Sequence, residues 1–432
     1  MTRTIEVNHL ARVEGHGGIV VELDGREISR VEFQVFEGAR LIEALLGGRP
    51  FHDVAPTVSR ICAICSVAHA LTSLKATEAA FGIVPSAQTQ KLRDLMYRGE
   101  SIESHALHLF LLALPDYLGY PSAMAMAEKH GDAVKMGLRL KKLGNLIQET
   151  IGGRAIHPVN AVLGGFGTLP SARELVALRE ALEPALDDCE RTIEIIAGLP
   201  PTPYCDAEIA FAALRPTGRY GYYLGDTLEL RAPDARATFA ARDYRRLAGE
   251  EVVRHSHAKH SRYDGRPFMV GSLARLAVNG DLLEGRAAAV AKRLRLEPPF
   301  RNPMDNNKAQ AVELIHDVEA ALATVNDLLR GALVPEAPAR IHPRAGTGTA
   351  VTEAPRGTLV HSYTYDKEGN VVHADVVTPT AMNAASMEDH FRRAVAQSDD
   401  GADLKKVLGM IARAYDPCIS CAVHVVQKRN VD

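Results

Sequence analysis

Hydrophobic and polar residues alternate over the first 40 positions, which is the two-residue period of a half-buried β-strand. The apolar positions fall at Ile5 and Val7, then within 19–23 and 31–35, with glycine-rich turns between these runs. From about Leu71 the period changes to that of a helix. The pattern predicts a small antiparallel sheet followed by a helix-rich region.

Four later segments have helical spacing and two have the alternation of strands. Helices are predicted over 102–114, 172–199, 309–333 and 403–415, and strands over 358–365 and 371–377 around a turn at 368–370. Ser171 followed by Glu174 predicts a capping box at the start of the second helix. Together these elements predict an α+β, helix-rich fold.

Irregular segments rich in glycine and proline divide the chain at 152–167, 200–203 and 335–348. We expect an N-terminal sheet with a first cysteine motif in 1–70 and a central helical bundle in 71–335. A mixed region with small sheet elements and a second cysteine motif follows in 336–424. Residues 425–432 form a short tail.

The composition of the chain serves mainly to exclude some classes of protein. The chain has 46% hydrophobic and 24% charged residues and a net charge of −3, which is typical of a folded globular protein. No basic block suggests a nucleic-acid partner. The N-terminus has no signal-peptide pattern, and no apolar run approaches the length of a membrane span. We therefore expect a cytoplasmic protein with no membrane span.

Four of the six cysteines form two Cys-x-x-Cys pairs near opposite ends of the chain: Cys62 with Cys65, and Cys418 with Cys421. A cysteine at the start of a helix is favoured as thiolate, and thiolates bind soft or borderline metals. Structural zinc is one possibility, although zinc ribbons close loops of about 15–20 residues. A redox or other metal centre is a second possibility, and unrelated structural thiols are a third. Spacing alone leaves all three open.

The residues around the cysteines resemble the large subunit of nickel–iron hydrogenases. Arg-Ile-Cys-x-x-Cys precedes His69, and Asp-Pro-Cys-x-x-Cys precedes His424. Further motifs of that family follow in the same order, at 12–16, 36–38, 152–158, 353–357 and 379–383. The compact length and the segments 265–271 and 418–426 are most similar to cytoplasmic NADP-linked hydrogenases, also called sulfhydrogenases. The resemblance covers essentially the whole chain and implies the large-subunit fold and the alpha-subunit role.

The resemblance implies a nickel–iron centre held by the cysteines. All four would bind nickel, and Cys65 and Cys421 would also bridge to an iron that carries carbon monoxide and cyanide. Pro355, Arg356 and Thr380 would line the pocket of these ligands, with Arg356 and Thr380 as hydrogen-bond donors to the cyanides. The resemblance also implies a nearby Mg²⁺ or Fe²⁺ held by Glu37, the backbone carbonyl of Val376, and His424.

Heterolytic cleavage of dihydrogen needs a Lewis acid and a base. By the resemblance, the base would be the thiolate of Cys421 or Cys418, or the guanidinium group of Arg356. Glu14 would be the first carboxyl group of a proton path, since the thiolate is expected to be buried. The alternative for Glu14 is a structural, salt-bridged acid.

Two neighbouring positions qualify the resemblance. His69 is expected to contact a cysteine sulfur rather than a metal. Ser104 stands where many family members have an acid, so an acidic contact to Arg356 from this position is in doubt, and Asp416 is the remaining candidate.

The resemblance implies partners as well as a site. Electrons would pass to an iron–sulfur small subunit, then to NAD(P) through flavin-containing and further iron–sulfur subunits, since the chain has no cysteine-rich cluster motif and no dinucleotide-binding fingerprint. A maturation protease would remove the tail after His424. Two alternatives remain at this point: a nickel-free scaffold like the related complex I protein, and a zinc-stabilised interaction protein.

Overall fold

The structure is a computed structural model that describes residues 2–25, 27–38, 41–200, 205–331, 333–336, 339–399 and 402–423. Thirteen α-helices lie in these described residues: α1 (Ile42–Leu46), α2 (Phe51–Val58), α3 (Ser66–Phe81), α4 (Ala87–Leu107), α5 (Leu114–Leu118), α6 (Ala123–Gly152), α7 (Ala172–Ala197), α8 (Ser272–Asn279), α9 (Gly285–Arg293), α10 (Asn306–Arg330), α11 (Pro379–Gln397), α12 (Leu404–Ala414) and α13 (Ile419–Ala422). A π-helical turn, His108–Ala113, joins α4 to α5. None of the helices in the described ranges has the length and apolarity that a membrane crossing requires.

The strands form three antiparallel three-stranded sheets and two small hairpins within the described residues. The first sheet contains β1 (Thr2–Val7), β2 (Gly17–Asp24) and β3 (Glu27–Val35). The hairpins are β4 (Ala161–Val162) with β5 (Gly165–Phe166), and β9 (Gly249–Glu251) with β10 (His260–Arg262). The second sheet contains β6 (Phe211–Arg215), β7 (Thr227–Arg231) and β8 (Arg236–Ala240), and the third contains β11 (Gly346–Ala354), β12 (Gly357–Tyr365) and β13 (Val371–Val377).

The structure confirms the α+β, helix-rich fold class, the N-terminal sheet and both predicted C-terminal strands. The capping box at α7 is also confirmed, because the Ser171 side chain accepts from the Glu174 N–H while the Glu174 carboxylate accepts from the Ser171 N–H. The predicted 102–114 helix is the end of α4 together with the π-helical turn. The elements that were not predicted include the β6–β8 sheet, which lies inside the region expected to be a helical bundle, and strand β11.

One large hydrophobic core joins the two ends of the chain. It contains Ile19 and Phe33 from the N-terminal sheet, Leu314 from α10 and Ile419 from α13, all fully buried or nearly so. A smaller cluster packs the β6–β8 sheet against β12 and α11. The consequence is that the two distant cysteine motifs are carried into one interior, with α3 on one side and α13 on the other.

Candidate metal centre

Each Cys-x-x-Cys motif lies at the start of a helix. Cys65 is the residue that precedes α3, and Cys418 is the residue that precedes α13. In the first motif the helix therefore begins after the second cysteine rather than the first. The sulfur of Cys62 accepts from the backbone N–H groups of Ile64 and Cys65 at 3.3 and 3.5 Å, which holds it in the open turn. Helix starts of this kind favour negatively charged ligands.

The four cysteine sulfurs meet at one point in the interior. All lie within 4.8 Å of one another, and each of the four residues is at most 3% exposed. The Sγ atoms of Cys418 and Cys62 are 3.3 Å apart, those of Cys65 and Cys421 3.5 Å, and those of Cys418 and Cys421 2.8 Å. The other two cysteines of the sequence are buried elsewhere, since the thiols of Cys189 and Cys205 face the backbone oxygens of Leu314 and His390.

Four thiolates packed this closely cannot all carry charge without a cation. The contacts with the other three sulfurs lower the pKa of Cys62 well below its usual range, whereas burial raises the pKa of Cys418 and Cys421 well above theirs. Burial and the mutual contacts of the sulfurs therefore disfavour four negative charges on the protein alone. A bound divalent metal supplies the charge that the remaining thiolates need.

Glu14 places a carboxylate directly against this cluster. Its Oε2 lies 3.3 Å from the sulfur of Cys418 and accepts from the N–H of Ser420 at 3.0 Å. Its backbone oxygen accepts from the N–H of Ile419 at 3.0 Å. The next residue, Gly15, has φ +88°, and an added Cβ would lie 2.7 Å from the Ile419 Cβ, so this close approach requires glycine.

Arg356 lies in the turn between β11 and β12 and directs its guanidinium group at the sulfurs. Nη1 lies 3.8 Å from the sulfur of Cys65, and Nε donates to Asp416 at 3.1 Å. Burial acts to lower the pKa of Arg356, but the carboxylate of Asp416 and the sulfurs raise it well above its ordinary value. Position 104, where many family members have an acid, holds a serine whose buried hydroxyl has no hydrogen-bond partner in the described part of the chain. The carboxylate that pairs with Arg356 is that of Asp416.

The donor set fits a metal centre that carries small anionic ligands. Nη2 of Arg356 is buried and has no hydrogen-bond partner among the described residues, which leaves a charged donor beside the cluster for a further acceptor. Soft thiolates suit nickel and iron, and a fixed planar cation suits a metal-bound anion.

The remaining pocket residues lie around the same cluster. Thr380 is in the first turn of α11, and its Oγ1 accepts from the N–H of Cys418 at 2.9 Å. Pro355 and Arg356 form the two-residue turn between β11 and β12, and the Pro355 oxygen accepts from Arg275 at 2.9 Å. Gly357 follows with φ +132°, where an added Cβ would lie 2.6 Å from Val270 Cγ2.

The structure describes two of the three predicted ligands of the further metal ion, Glu37 and Val376. Glu37 is half-buried, and its Oε2 accepts from the N–H of His16 at 3.1 Å. The carboxylate that touches Val376 is that of Glu43, whose Oε1 accepts from the Val376 N–H at 2.8 Å. Burial raises the pKa of Glu43 to about 7. His424 lies outside the described residues.

Two further groups at the site were not predicted from the sequence. Glu100 is buried, and its carboxylate accepts from the N–H groups of Val67 and Ala68 at the start of α3. His361 is the other, and its Nε2 lies 3.1 Å from Nδ1 of His69, whose own Nε2 is 3.6 Å from the Cys421 sulfur as expected. No sequence motif singled out Glu100 or His361, and the fold alone brings them to the site.

Fold and site together define a class: a helix-rich protein that buries four converging cysteine sulfurs, suited to a metal, with a carboxylate and an arginine in contact with them. The model of the family described as nickel-dependent hydrogenase matches residues 40–149 and 232–424. The chain belongs to this family, as the large catalytic subunit of a nickel–iron hydrogenase.

Similar proteins agree along the full length. The chain is 42% identical to the alpha subunit of sulfhydrogenase 1 of Pyrococcus furiosus, with 98% of each chain covered. It is 38% identical to the alpha subunit of sulfhydrogenase 2 of the same organism, with 98% of this chain and 99% of that one covered. A crystal structure of an NAD⁺-reducing [NiFe]-hydrogenase in the H₂-reduced state superimposes with a TM-score of 0.86 at 27% identity, covering 98% and 99% of the two chains. These comparisons favour hydrogenase over the zinc-stabilised and nickel-free alternatives.

Proposed function

We propose that this chain cleaves and forms dihydrogen at a nickel–iron centre, releases protons through Glu14, and passes electrons to separate iron–sulfur and NAD(P)-linked subunits. The observation that carries the proposal is the half-buried carboxylate of Glu14, 3.3 Å from one of four converging, buried cysteine sulfurs. When bound, the centre supplies the Lewis acid and the redox couple for heterolytic cleavage.

In this proposal Cys62, Cys65, Cys418 and Cys421 would hold nickel, and Cys65 and Cys421 would also hold iron. Cys418 takes the proton, because its sulfur is the one in contact with Glu14. Cys421 and Arg356 were the other candidates from the sequence, and the sulfur of Cys421 lies 3.6 Å from Nε2 of His69. A carboxyl group within contact distance can receive a proton from the thiol and then pass this proton on toward the surface.

Arg356 and Thr380 are proposed to hydrogen-bond the cyanide ligands of the iron, beside Pro355. The support for Arg356 is its buried Nη2, which has no partner among the described residues. The support for Thr380 is that its hydroxyl group accepts from the backbone N–H of Cys418, a contact that places this hydroxyl group beside the centre. A guanidinium group is a suitable donor because it stays protonated when buried.

For the further metal ion, Mg²⁺ or Fe²⁺, we propose Glu43 in place of Glu37 as the carboxylate ligand. Glu43 is buried and in contact with Val376, whereas Glu37 is half-buried and contacts His16. A buried carboxylate and a backbone carbonyl are oxygen ligands of the type that Mg²⁺ prefers. His424 would complete this set.

Electrons must leave to another chain in this proposal. The sequence has six cysteines, of which four are in the centre and two are buried apart from each other, so none remain for an iron–sulfur cluster. The sulfhydrogenase relatives are named as alpha subunits, which supports a multisubunit enzyme. We therefore propose an iron–sulfur small subunit, a flavin- and NAD(P)-binding subunit, and a cytoplasmic location.

The test uses the complex purified anaerobically and the large subunit separated from it. The complex should reduce NADP⁺ with H₂, whereas the separated chain should retain hydrogen/deuterium exchange without binding NADP⁺. Reduction of NADP⁺ by the separated chain would contradict the proposed electron route. For maturation, we propose cleavage after His424, and the intact mass of active enzyme ending at Asp432 would refute it.

A further inference from the structure

A second group of metal-ligating side chains lies outside the cysteine centre. His255 is in the segment between β9 and β10, His260 is the first residue of β10, and Glu388 is in the middle of α11. Three separate parts of the chain therefore direct one nitrogen or oxygen atom each toward a common point. Glu388 lies eight residues beyond Thr380 on α11, which is about 12 Å along the helix axis.

The distances in this group suit a small cation. Oε1 of Glu388 lies 2.8 Å from Nε2 of His255 and 3.2 Å from Nε2 of His260, and one ligand atom from each residue lies within 4.8 Å of the other two. A tetrahedral zinc site with bonds of about 2.0–2.1 Å has ligand atoms about 3.3 Å apart. Small side-chain adjustments would bring the three atoms to that separation.

Hydrogen bonds do not account for the burial of the His260 side chain. It is 1% exposed, and neither ring nitrogen makes a directional hydrogen bond within the described ranges, although Nε2 is 3.2 Å from Glu388. Buried polar atoms normally make hydrogen bonds, so a buried imidazole that faces a carboxylate without hydrogen-bond geometry indicates room for a further partner.

The surrounding contacts hold the other two ligands in place. The backbone N–H of Phe33 donates to Glu388 Oε1 at 2.9 Å, which fixes the carboxylate against β3. Nδ1 of His255 lies 3.8 Å from Oε1 of Glu32, an electrostatic contact longer than a hydrogen bond. The side chains of His255 and Glu388 are 21% and 14% exposed, so solvent can reach the site.

We propose that His255, His260 and Glu388 bind a divalent transition-metal ion of the zinc type, separate from the nickel–iron centre, with water in the fourth position. Two neutral imidazoles and one carboxylate are borderline ligands that favour zinc over magnesium or calcium. The bound ion would tie the β9–β10 hairpin to α11, the helix whose first turn holds the backbone of Cys418. Glu388 already joins α11 to the N-terminal sheet through the Phe33 N–H.

The test is zinc stoichiometry in the anaerobically purified complex. The complex is dialysed against a chelator under conditions that keep its nickel, exposed to Zn²⁺, desalted, and analysed for nickel, iron and zinc. Wild type should retain about one more zinc per chain than His260→Gln and Glu388→Gln, with nitrogen and oxygen neighbours at about 2.0–2.1 Å by X-ray absorption. The matched control is His257→Gln, which removes an exposed histidine of the same segment and should retain the zinc.

Nickel content and hydrogen/deuterium exchange report whether each variant is folded. If His260→Gln loses nickel, His255→Gln decides the question, because that side chain is partly exposed. Equal zinc in wild type and a nickel-loaded ligand variant would overturn the proposal and leave a hydrogen-bonded histidine–glutamate cluster. Loss of the same zinc in His257→Gln would overturn it also.

Discussion

Replacing Glu14 by glutamine should stop proton transfer while leaving the metal centre assembled. The amide has nearly the volume of the carboxyl group, and its oxygen can still accept from the Ser420 N–H that the carboxylate accepts from at 3.0 Å. It cannot accept a proton from the Cys418 sulfur 3.3 Å away. The substitution therefore separates the chemical role of Glu14 from its structural one.

The magnitude follows from general acid–base catalysis, in which a positioned group contributes about 10²–10⁴-fold. This factor corresponds to about 2.7–5.4 kcal/mol of activation free energy. Glu14→Asp should fall between wild type and Glu14→Gln, because the shorter side chain moves the carboxylate about 1.5 Å from the sulfur. Exchange rates that fall in the order Glu14, Glu14→Asp, Glu14→Gln are a result that a purely structural role would not produce.

The assay is hydrogen/deuterium exchange in H₂ and D₂O, with dye-coupled H₂ oxidation in parallel and nickel measured in each preparation. Glu6→Gln is the matched control, because Glu6 is an exposed glutamate on β1. An exchange rate in Glu14→Gln within about twofold of wild type at equal nickel content would refute the reasoning, since the loss of a proton-transfer group costs far more.

Three further predictions test other contacts. Cys421→Ser should prevent assembly of the centre, because its sulfur lies 3.5 Å from that of Cys65, and full nickel occupancy in this variant would contradict its bridging role. Arg356→Lys should lower H₂ oxidation by about 10- to 100-fold at unchanged nickel and shift the infrared bands of the iron ligands, whereas unchanged bands would remove Arg356 from that pocket. Burial lowers the pKa of His390 from 6.5 to about 4. Between these pH values the folded state binds fewer protons than the unfolded state. The neutral histidine therefore contributes up to about 3 kcal/mol to the free energy of unfolding above pH 6.5, and this contribution is lost as the pH falls toward 4. His390→Gln should therefore show less loss in denaturation midpoint between pH 7 and 5 than wild type, and an equal loss would count against it.

Strong periodicity made part of the fold predictable. The N-terminal sheet has clear alternation, and α7 has both an apolar stripe and a capping box, so local signals agreed with the final structure. The β6–β8 sheet was missed because its strands are five residues long and rich in alanine, leucine and arginine, which are good helix formers. The sheet is stabilised by packing against β12 and α11, which no local pattern reveals.

The site was predictable where its residues occur in recognisable motifs, and less so elsewhere. Cysteine spacing left zinc open, and the motifs around the cysteines directed attention to nickel. Glu43 was missed because it lies in a short apolar helix, α1, where a single acid carries no motif. Its proposed role depends on the approach of β13, since its carboxylate contacts the backbone of Val376. The place of Glu37 as a ligand was a prediction from motif alone, and the structure gives its carboxylate a contact with His16.

The central claim is that four cysteine sulfurs from opposite ends of the chain hold one nickel–iron centre. The most direct measurement is nickel, iron and zinc content per chain in protein purified anaerobically from its native host, with X-ray absorption at the nickel edge. We predict about one nickel with at least one iron, and sulfur neighbours from the four cysteines that converge within 4.8 Å. Zinc in the cysteine site without nickel, or nickel without sulfur neighbours, would contradict the account.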